Sequence, residues 1–372
     1  MSEYQYYEFR ALDRPLDRAA MDELRKLSTR AEITPTSFTN TYNYGDFRGK
    51  PAELMDRYFD AFVYVANWGT RWLSCRLPEG ALDLETAGAY EVEDVLEFRA
   101  TNGRVVVDFH SDEEGGGDWI DGEEQMPALL PVRDLLLRGD LRPLYLGWLS
   151  GQFENDEDEE YKERVEPPVP PGLKALPPEL EALAEFLRVD PLMLKAAAEA
   201  SEGEAPAGPS RAEIVRWVSK LPGDEKGDYL TRLLADGEDV SLRAELMARY
   251  RRERAPKPRK TEDQPRRTVA ELFAARDAQE KKRETAGAKR REARLDALEQ
   301  RGENAWAEVT AHIMTRNAAG YDEAIDLLAD LRDLAKRSGA SEEFRRRLTE
   351  LRKAHRGKSA FTTRLDEKLG GA

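Results

Sequence analysis

The chain has 372 residues, enough for two or three domains, and 35% of them are charged. Its only cysteine, Cys75, excludes disulfides within the chain and four-cysteine zinc sites, and it has neither a run of ~18 apolar residues nor a signal-peptide pattern, so we expect a cytoplasmic protein without membrane contacts. The net charge of −15 divides into −18 for residues 1–166 and +3 for residues 167–372, which indicates at least two units with different surfaces.

Residues 1–153 predict an acidic α+β domain. Aromatic-rich alternating segments are typical of strands, and helical spacing of apolar residues predicts helices, two of them over Pro51–Trp68 and Leu129–Leu149. Asn102-Gly103 predicts a β-hairpin, because both residues tolerate positive φ. A ferredoxin-like mixed sheet is one arrangement that fits this order of elements, and other α+β layouts fit it equally well.

The segment over residues 154–175 is acidic and proline-rich, and it predicts a stiff linker. Only helices are predicted after it. They form a small helical domain over 176–254, a basic linker over 255–267, and a long charged helix with a C-terminal helical bundle over 268–372. The expected fold is therefore an α+β N-terminal domain followed by an all-α C-terminal region.

Residues 38–48 gather hydroxyl, amide, carboxylate and guanidinium groups on a strand and the loop after it, where polar groups often line sites. A histidine also ends a predicted strand beside an acidic loop. The binding candidates on these grounds are Tyr42, Tyr44, Asp46, Arg48 and His110. A tyrosine-rich strand with a turn, and a polar residue at a strand end, are the commoner explanations of the same residues.

The sequence carries no recognisable catalytic, metal or cofactor motif. Its three histidines are far apart, and the acidic loop over residues 111–124 matches neither the EF-hand nor the phosphate-loop spacing. Cys75 lies in an apolar run and is expected to be a buried, inert thiol. We therefore expect no cofactor and no metal, and an enzyme is the less favoured class.

The segment over residues 249–294 holds 17 Lys and Arg against 8 Asp and Glu. Such a segment can bind nucleic acid through phosphate contacts, but it has few aromatic residues for base stacking and the whole chain is negative. Another protein is therefore the favoured partner, with nucleic acid and the chain's own acidic domain as alternatives. The candidates for electrostatic docking are Arg251, Arg252, Arg254, Lys257, Arg259, Lys260, Arg266 and Arg267.

Two resemblances bear on function. The segments YNYGDFRG, PPVPPGL and LAEFLRVDP resemble a family of uncharacterised bacterial proteins across roughly the first 200 residues, and that family brings no established activity. The tail, with YDEAIDLLADLRDLAKRSG, is similar to the C-terminal tail of bacterial SWIM zinc-finger proteins. The finger itself needs Cys-x-Cys and Cys-x-His, which one cysteine cannot supply, so this resemblance implies a shared helical adaptor or a shared genomic setting.

These observations predict a non-catalytic scaffold or protein–protein interaction module of a bacterial cytoplasm. One alternative is a nucleic-acid-binding protein that uses residues 249–294. The other is an enzyme of unrecognised chemistry with its site around Tyr42–Arg48 and His110. The oligomeric state is left open, because the apolar positions of the long helix do not sustain three heptads and a coiled coil is not indicated.

Overall fold

The structure is a computed structural model, and it describes residues 3–113, 120–153, 159–204, 208–236, 239–254 and 266–370. The chain divides into two units, Met1–Gln279 and Glu280–Ala372. An antiparallel sheet with flanking helices lies in the first unit, and the chain after it is mostly helical. This confirms the predicted α+β region followed by an all-α region.

Seven strands form one sheet. Their bounds are β1 Gln5–Arg10, β2 Glu32–Thr34, β3 Ser37–Tyr42, β4 Ala61–Ala66, β5 Arg71–Pro78, β6 Leu96–Thr101 and β7 Arg104–Ser111. The strand order is β2-β3-β1-β4-β5-β7-β6 and every pairing is antiparallel, so the sheet is not mixed. Its first four strands have the order β4-β1-β3-β2 of a ferredoxin-like unit, and β5, β7 and β6 extend that unit at one edge. Asn102 and Gly103 have φ values of 46° and 71°, as the predicted two-residue hairpin requires.

Helices cover both faces of the sheet and form most of the other described residues. Those of the first unit are α1 Arg18–Leu27, α2 Pro51–Arg57, α3 Leu84–Gly88, α4 Gln125–Leu137, α5 Arg142–Ser150, α6 Glu159–Glu163, α7 Pro178–Phe186, α8 Pro191–Ala200, α9 Arg211–Lys220, α10 Gly223–Thr231 and α11 Asp239–Arg254. Helix α12, Val269–Arg301, contributes residues 269–279 to the first unit and its remainder to the second. The second unit continues with α13 Glu303–Met314, α14 Ala318–Ser338, α15 Ser341–Ala354 and α16 Ser359–Leu369.

Two predicted helices were wrong in part. The helix predicted over Pro51–Trp68 ends at Arg57, and Ala61–Ala66 forms the central strand β4. All six residues of β4 are buried, so the strand shows no alternation of apolar and polar residues, and its aromatic and β-branched side chains favour a strand. The helix predicted over Leu129–Leu149 is two helices, because Gly139 between them has a φ of +77°.

The two faces of the sheet carry separate apolar cores. Phe9, Phe38 and Phe62 belong to the core with α1 and α2. The core on the other face includes Leu73 of the sheet and Leu183 of α7, so the chain on both sides of the proline-rich segment shares one core. The predicted boundary at residues 154–175 therefore lies within the first unit. Cys75 is fully buried in this second core, and burial raises the pKa of its thiol to about 12.

The second unit has a core of its own. Leu328 of α14 is fully buried, together with Val309 of α13 and Phe361 of α16. The aromatic ring of Trp306 packs beside Phe344 of α15, with ring centroids 5.7 Å apart. Among the residues described in either unit, no helix combines the length and apolar character that crossing a bilayer requires.

Candidate interaction site

The candidate residues after β3 lie at and beyond the end of that strand. Tyr42 is partly buried, and its ring meets the ring of Tyr7 edge-on at a centroid distance of 5.7 Å. The side chain of Tyr44 is 77% exposed, and Arg48 is exposed as well. Tyr42 therefore packs on the sheet face that α1 and α2 cover, whereas Tyr44 and Arg48 project into solvent.

Gln5 of β1 organises the loop that contains Asp46. Its side-chain amide donates to Asp46 Oδ1 at 3.0 Å and to the carbonyl of Gly45 at 3.2 Å. The amide oxygen accepts from the hydroxyls of Tyr7, at 2.7 Å, and Tyr64, at 3.0 Å. Burial raises the pKa of Tyr7 to about 12. Asp46 is thus an anchor of the loop, and Gln5, which no sequence signal marked, is the residue that holds it.

His110 lies on the same face of the sheet but away from that loop. Its ring stacks on Trp72, with centroids 4.8 Å apart, and the two residues are direct partners of β5 and β7. Strands β1, β4 and β5 separate β3 from β7, which places Tyr42 and His110 roughly 19 Å apart at the usual strand spacing. The structure therefore does not bring the five candidates into one cluster.

Arg251 of α11 is engaged within the first unit. Its guanidinium donates to the carbonyls of Leu137, at 3.3 Å, and Ala81, at 2.9 Å. It lies so close to Gly139 that a Cβ on that residue would be 2.9 Å from the guanidinium carbon. Burial lowers the pKa of Arg251. This side chain fixes α11 to the end of α4 and is not available to a partner.

Arg267 is likewise paired within the first unit. Its guanidinium donates to both carboxylate oxygens of Glu166, at 2.7 and 2.8 Å, and Glu166 also accepts from the hydroxyl of Tyr145. Beside this pair, Val165 and Thr268 form an antiparallel bridge. Desolvation opposes the charge of Arg267, but its hydrogen bonds to Glu166 outweigh it and raise the pKa.

The other predicted docking residues divide into two groups. Arg252 of α11 and Arg266 are exposed. Arg254 is the last residue of α11, and its side chain is not among the described ones. The remaining candidates lie outside the described residues: Lys257, Arg259 and Lys260. Among the described docking candidates, Arg252 and Arg266 are therefore the two that a partner could contact.

Another basic surface is the middle of α12, residues 280–294, which we call the basic segment. Every residue in it is exposed, and it holds seven Lys and Arg against three Glu. Its Ala, Glu, Lys and Arg content favours a helix. Leu272 before the basic segment and Leu295 and Leu298 after it are buried, so the helix packs at both ends and is solvated between them.

Two arginines of the basic segment pair with α14. Arg291 is bonded to Asp333, and Arg294 lies 2.5 Å from Asp330. The cations that have no paired carboxylate among the described residues are Lys281, Arg283, Lys289 and Arg290. Arg283 and Arg290 are seven residues apart, which places them on one helical face about 10 Å apart. Ala286 and Gly287 lie between them on that face, so the helix backbone is open to close approach there.

No protein-family model, curated protein or solved structure is significantly similar to the chain. Within the part of the chain that is described, no group of three or more His, Cys, Asp or Glu side chains is arranged to hold a metal ion. The interpretation of function therefore depends on the surfaces described above.

Proposed function

We propose that this chain is a non-catalytic interaction protein of a bacterial cytoplasm that binds an acidic protein through the basic segment of α12. The observation that carries the proposal is the unbroken exposure of residues 280–294 together with their excess of four positive charges. Exposed charges of one sign steer partners of the opposite sign and set the register of docking. Binding rather than chemistry is the better explanation of such a surface.

An acidic protein fits this segment better than nucleic acid does. Residues 280–294 contain no aromatic side chain on which a base could stack. Glu280, Glu284 and Glu292 are interspersed among the cations and would repel phosphates, while a protein partner can place its own cations beside them. The small residues Ala286 and Gly287 between Arg283 and Arg290 suit the close approach of a second protein surface.

The test compares two double charge reversals in the full chain, with fluorescence anisotropy of labelled poly-glutamate and of single-stranded RNA as the measurement. Arg283→Glu with Arg290→Glu alters the basic segment, and Lys353→Glu with Arg356→Glu makes the same change of charge at exposed residues of the second unit outside it. We expect the first variant to weaken poly-glutamate binding at least about tenfold, since each lost surface pair contributes up to ~1 kcal/mol. The control variant should change it little.

A partner is identified by placing a photo-crosslinking amino acid at Ala286 and, as a control, at the exposed Thr363. We expect the substitution at 286 to capture an acidic protein in the host and the one at 363 not to. RNA that binds more tightly than poly-glutamate, with affinity falling steeply as salt rises, would favour the nucleic-acid alternative. Equal effects of the two double variants would overturn the proposed site.

A further inference from the structure

A groove crosses the second unit between α14 and α15, and nothing in the proposed role of α12 uses it. It has a volume of about 310 Å³. Its apolar floor is formed by Phe344 and Leu348 of α15 and Leu369 of α16. The remaining lining residues are polar or cationic: Arg332, Lys336, Ser341 and Arg345.

The charge of the lining has one sign. Three cations line the groove and no carboxylate does. Lys336 and Arg345 are exposed, and neither pairs with a carboxylate among the residues described. The Nε–H of Arg332 is buried without an acceptor, and its closest carboxylate oxygen, Oδ1 of Asp333, is 3.7 Å away. An anionic group in the groove would pair with the exposed ammonium of Lys336 and the exposed guanidinium of Arg345.

The shape of the groove follows its helices. Arg332 and Lys336 are four residues apart on α14, which is about one turn. The lining residues of α15 run from Ser341 to Leu348, a span of about 10 Å at the rise of an α-helix. A groove with an apolar floor and charged walls is how proteins bind amphipathic helices of their partners.

We propose that this groove binds an acidic amphipathic helix of a partner protein, about two turns long. Apolar side chains of that helix would contact Phe344, Leu348 and Leu369, and its carboxylates would pair with Lys336 and Arg345. This surface is a second one beyond the proposed basic segment of α12, because Asp330 and Asp333 of α14 face α12 while Arg332 and Lys336 line the groove.

The test is binding of a designed helical peptide to the full chain. The probe is a labelled peptide of about fourteen residues, with leucines on one helical face and glutamates elsewhere. We expect binding by fluorescence anisotropy, and we expect Arg345→Glu to weaken it about fivefold, since one surface ion pair contributes up to ~1 kcal/mol. Lys353→Glu, on the same helix but outside the groove, is the matched control and should leave the affinity nearly unchanged.

Three results would overturn the proposal. They are absence of peptide binding up to about 1 mM, equal weakening by Arg345→Glu and Lys353→Glu, and undiminished binding when serines replace the leucines of the peptide. The last two results would mean diffuse attraction between charges. The variant Arg283→Glu with Arg290→Glu separates this site from α12: it should still bind the amphipathic peptide while its binding of poly-glutamate falls.

Discussion

Arg251 illustrates how a cation in a basic run can serve the fold. The residue belongs to a segment whose composition indicates docking, yet its guanidinium donates to two main-chain carbonyls of the first unit. Its neighbour Arg252 is exposed. The two differ by one position on α11, which turns one of them towards α4 and the other towards solvent.

We expect Arg251→Ala to lower the free energy of unfolding by roughly 1–3 kcal/mol, because the carbonyls of Ala81 and Leu137 lose their donor. Arg252→Ala should change it by no more than about 0.5 kcal/mol. Urea unfolding followed by tryptophan fluorescence measures both. Equal stability of the two variants would show that these hydrogen bonds contribute nothing.

At the scale of an element, α12 is a helix whose middle makes few contacts, so its local stability depends on helix propensity. Gly287 lies in this stretch, and a Cβ there meets nothing within 4 Å. We expect Gly287→Ala to stabilise the second unit by up to about 1 kcal/mol, because alanine loses less backbone freedom on folding than glycine does. Circular dichroism during urea unfolding measures the change.

Gly320, in the first turn of α14, is a glycine of the same unit at which a Cβ would clash, in contrast to Gly287. A Cβ at this position would lie 2.0 Å from Thr315 Oγ1 and 2.7 Å from the carbonyl oxygen of His312. Gly320→Ala should therefore destabilise the same unit. If both glycine variants shifted the unfolding midpoint in the same direction, the packing described at one of the two positions would be incorrect.

The elements differ in how far the sequence predicts them. Helix α13, Glu303–Met314, belongs to the C-terminal helical bundle that the sequence predicts, because its apolar residues recur at helical spacing. Strand β4 was missed, since a strand buried on both faces has the same apolar pattern as part of a buried helix. The groove was missed as well: Arg332, Lys336 and Arg345 come together only when α14 packs on α15, and no spacing in the sequence indicates that contact.

At the scale of the whole molecule, each unit buries a core of its own, and a chain of this kind departs from two-state unfolding. We expect two transitions in calorimetry. Leu183→Ala and Leu328→Ala both remove a fully buried leucine side chain, one in each unit, and each should cost about 2–5 kcal/mol. Each variant should lower the midpoint of one transition only, and a common shift of both would mean that the units unfold together.

The bridge between Val165 and Thr268 has a consequence for synthesis on the ribosome. The sheet is complete once Ser111 has emerged, but Val269 and Leu272, which bury themselves in its second core, follow the bridge and so come much later in the chain. Translation of the roughly 160 residues from Ser111 to Val269 takes about 8–32 s at ordinary elongation rates. During that interval the part of the second core that Val269 and Leu272 contact stays uncovered, so we expect a chaperone to bind the nascent chain at this stage.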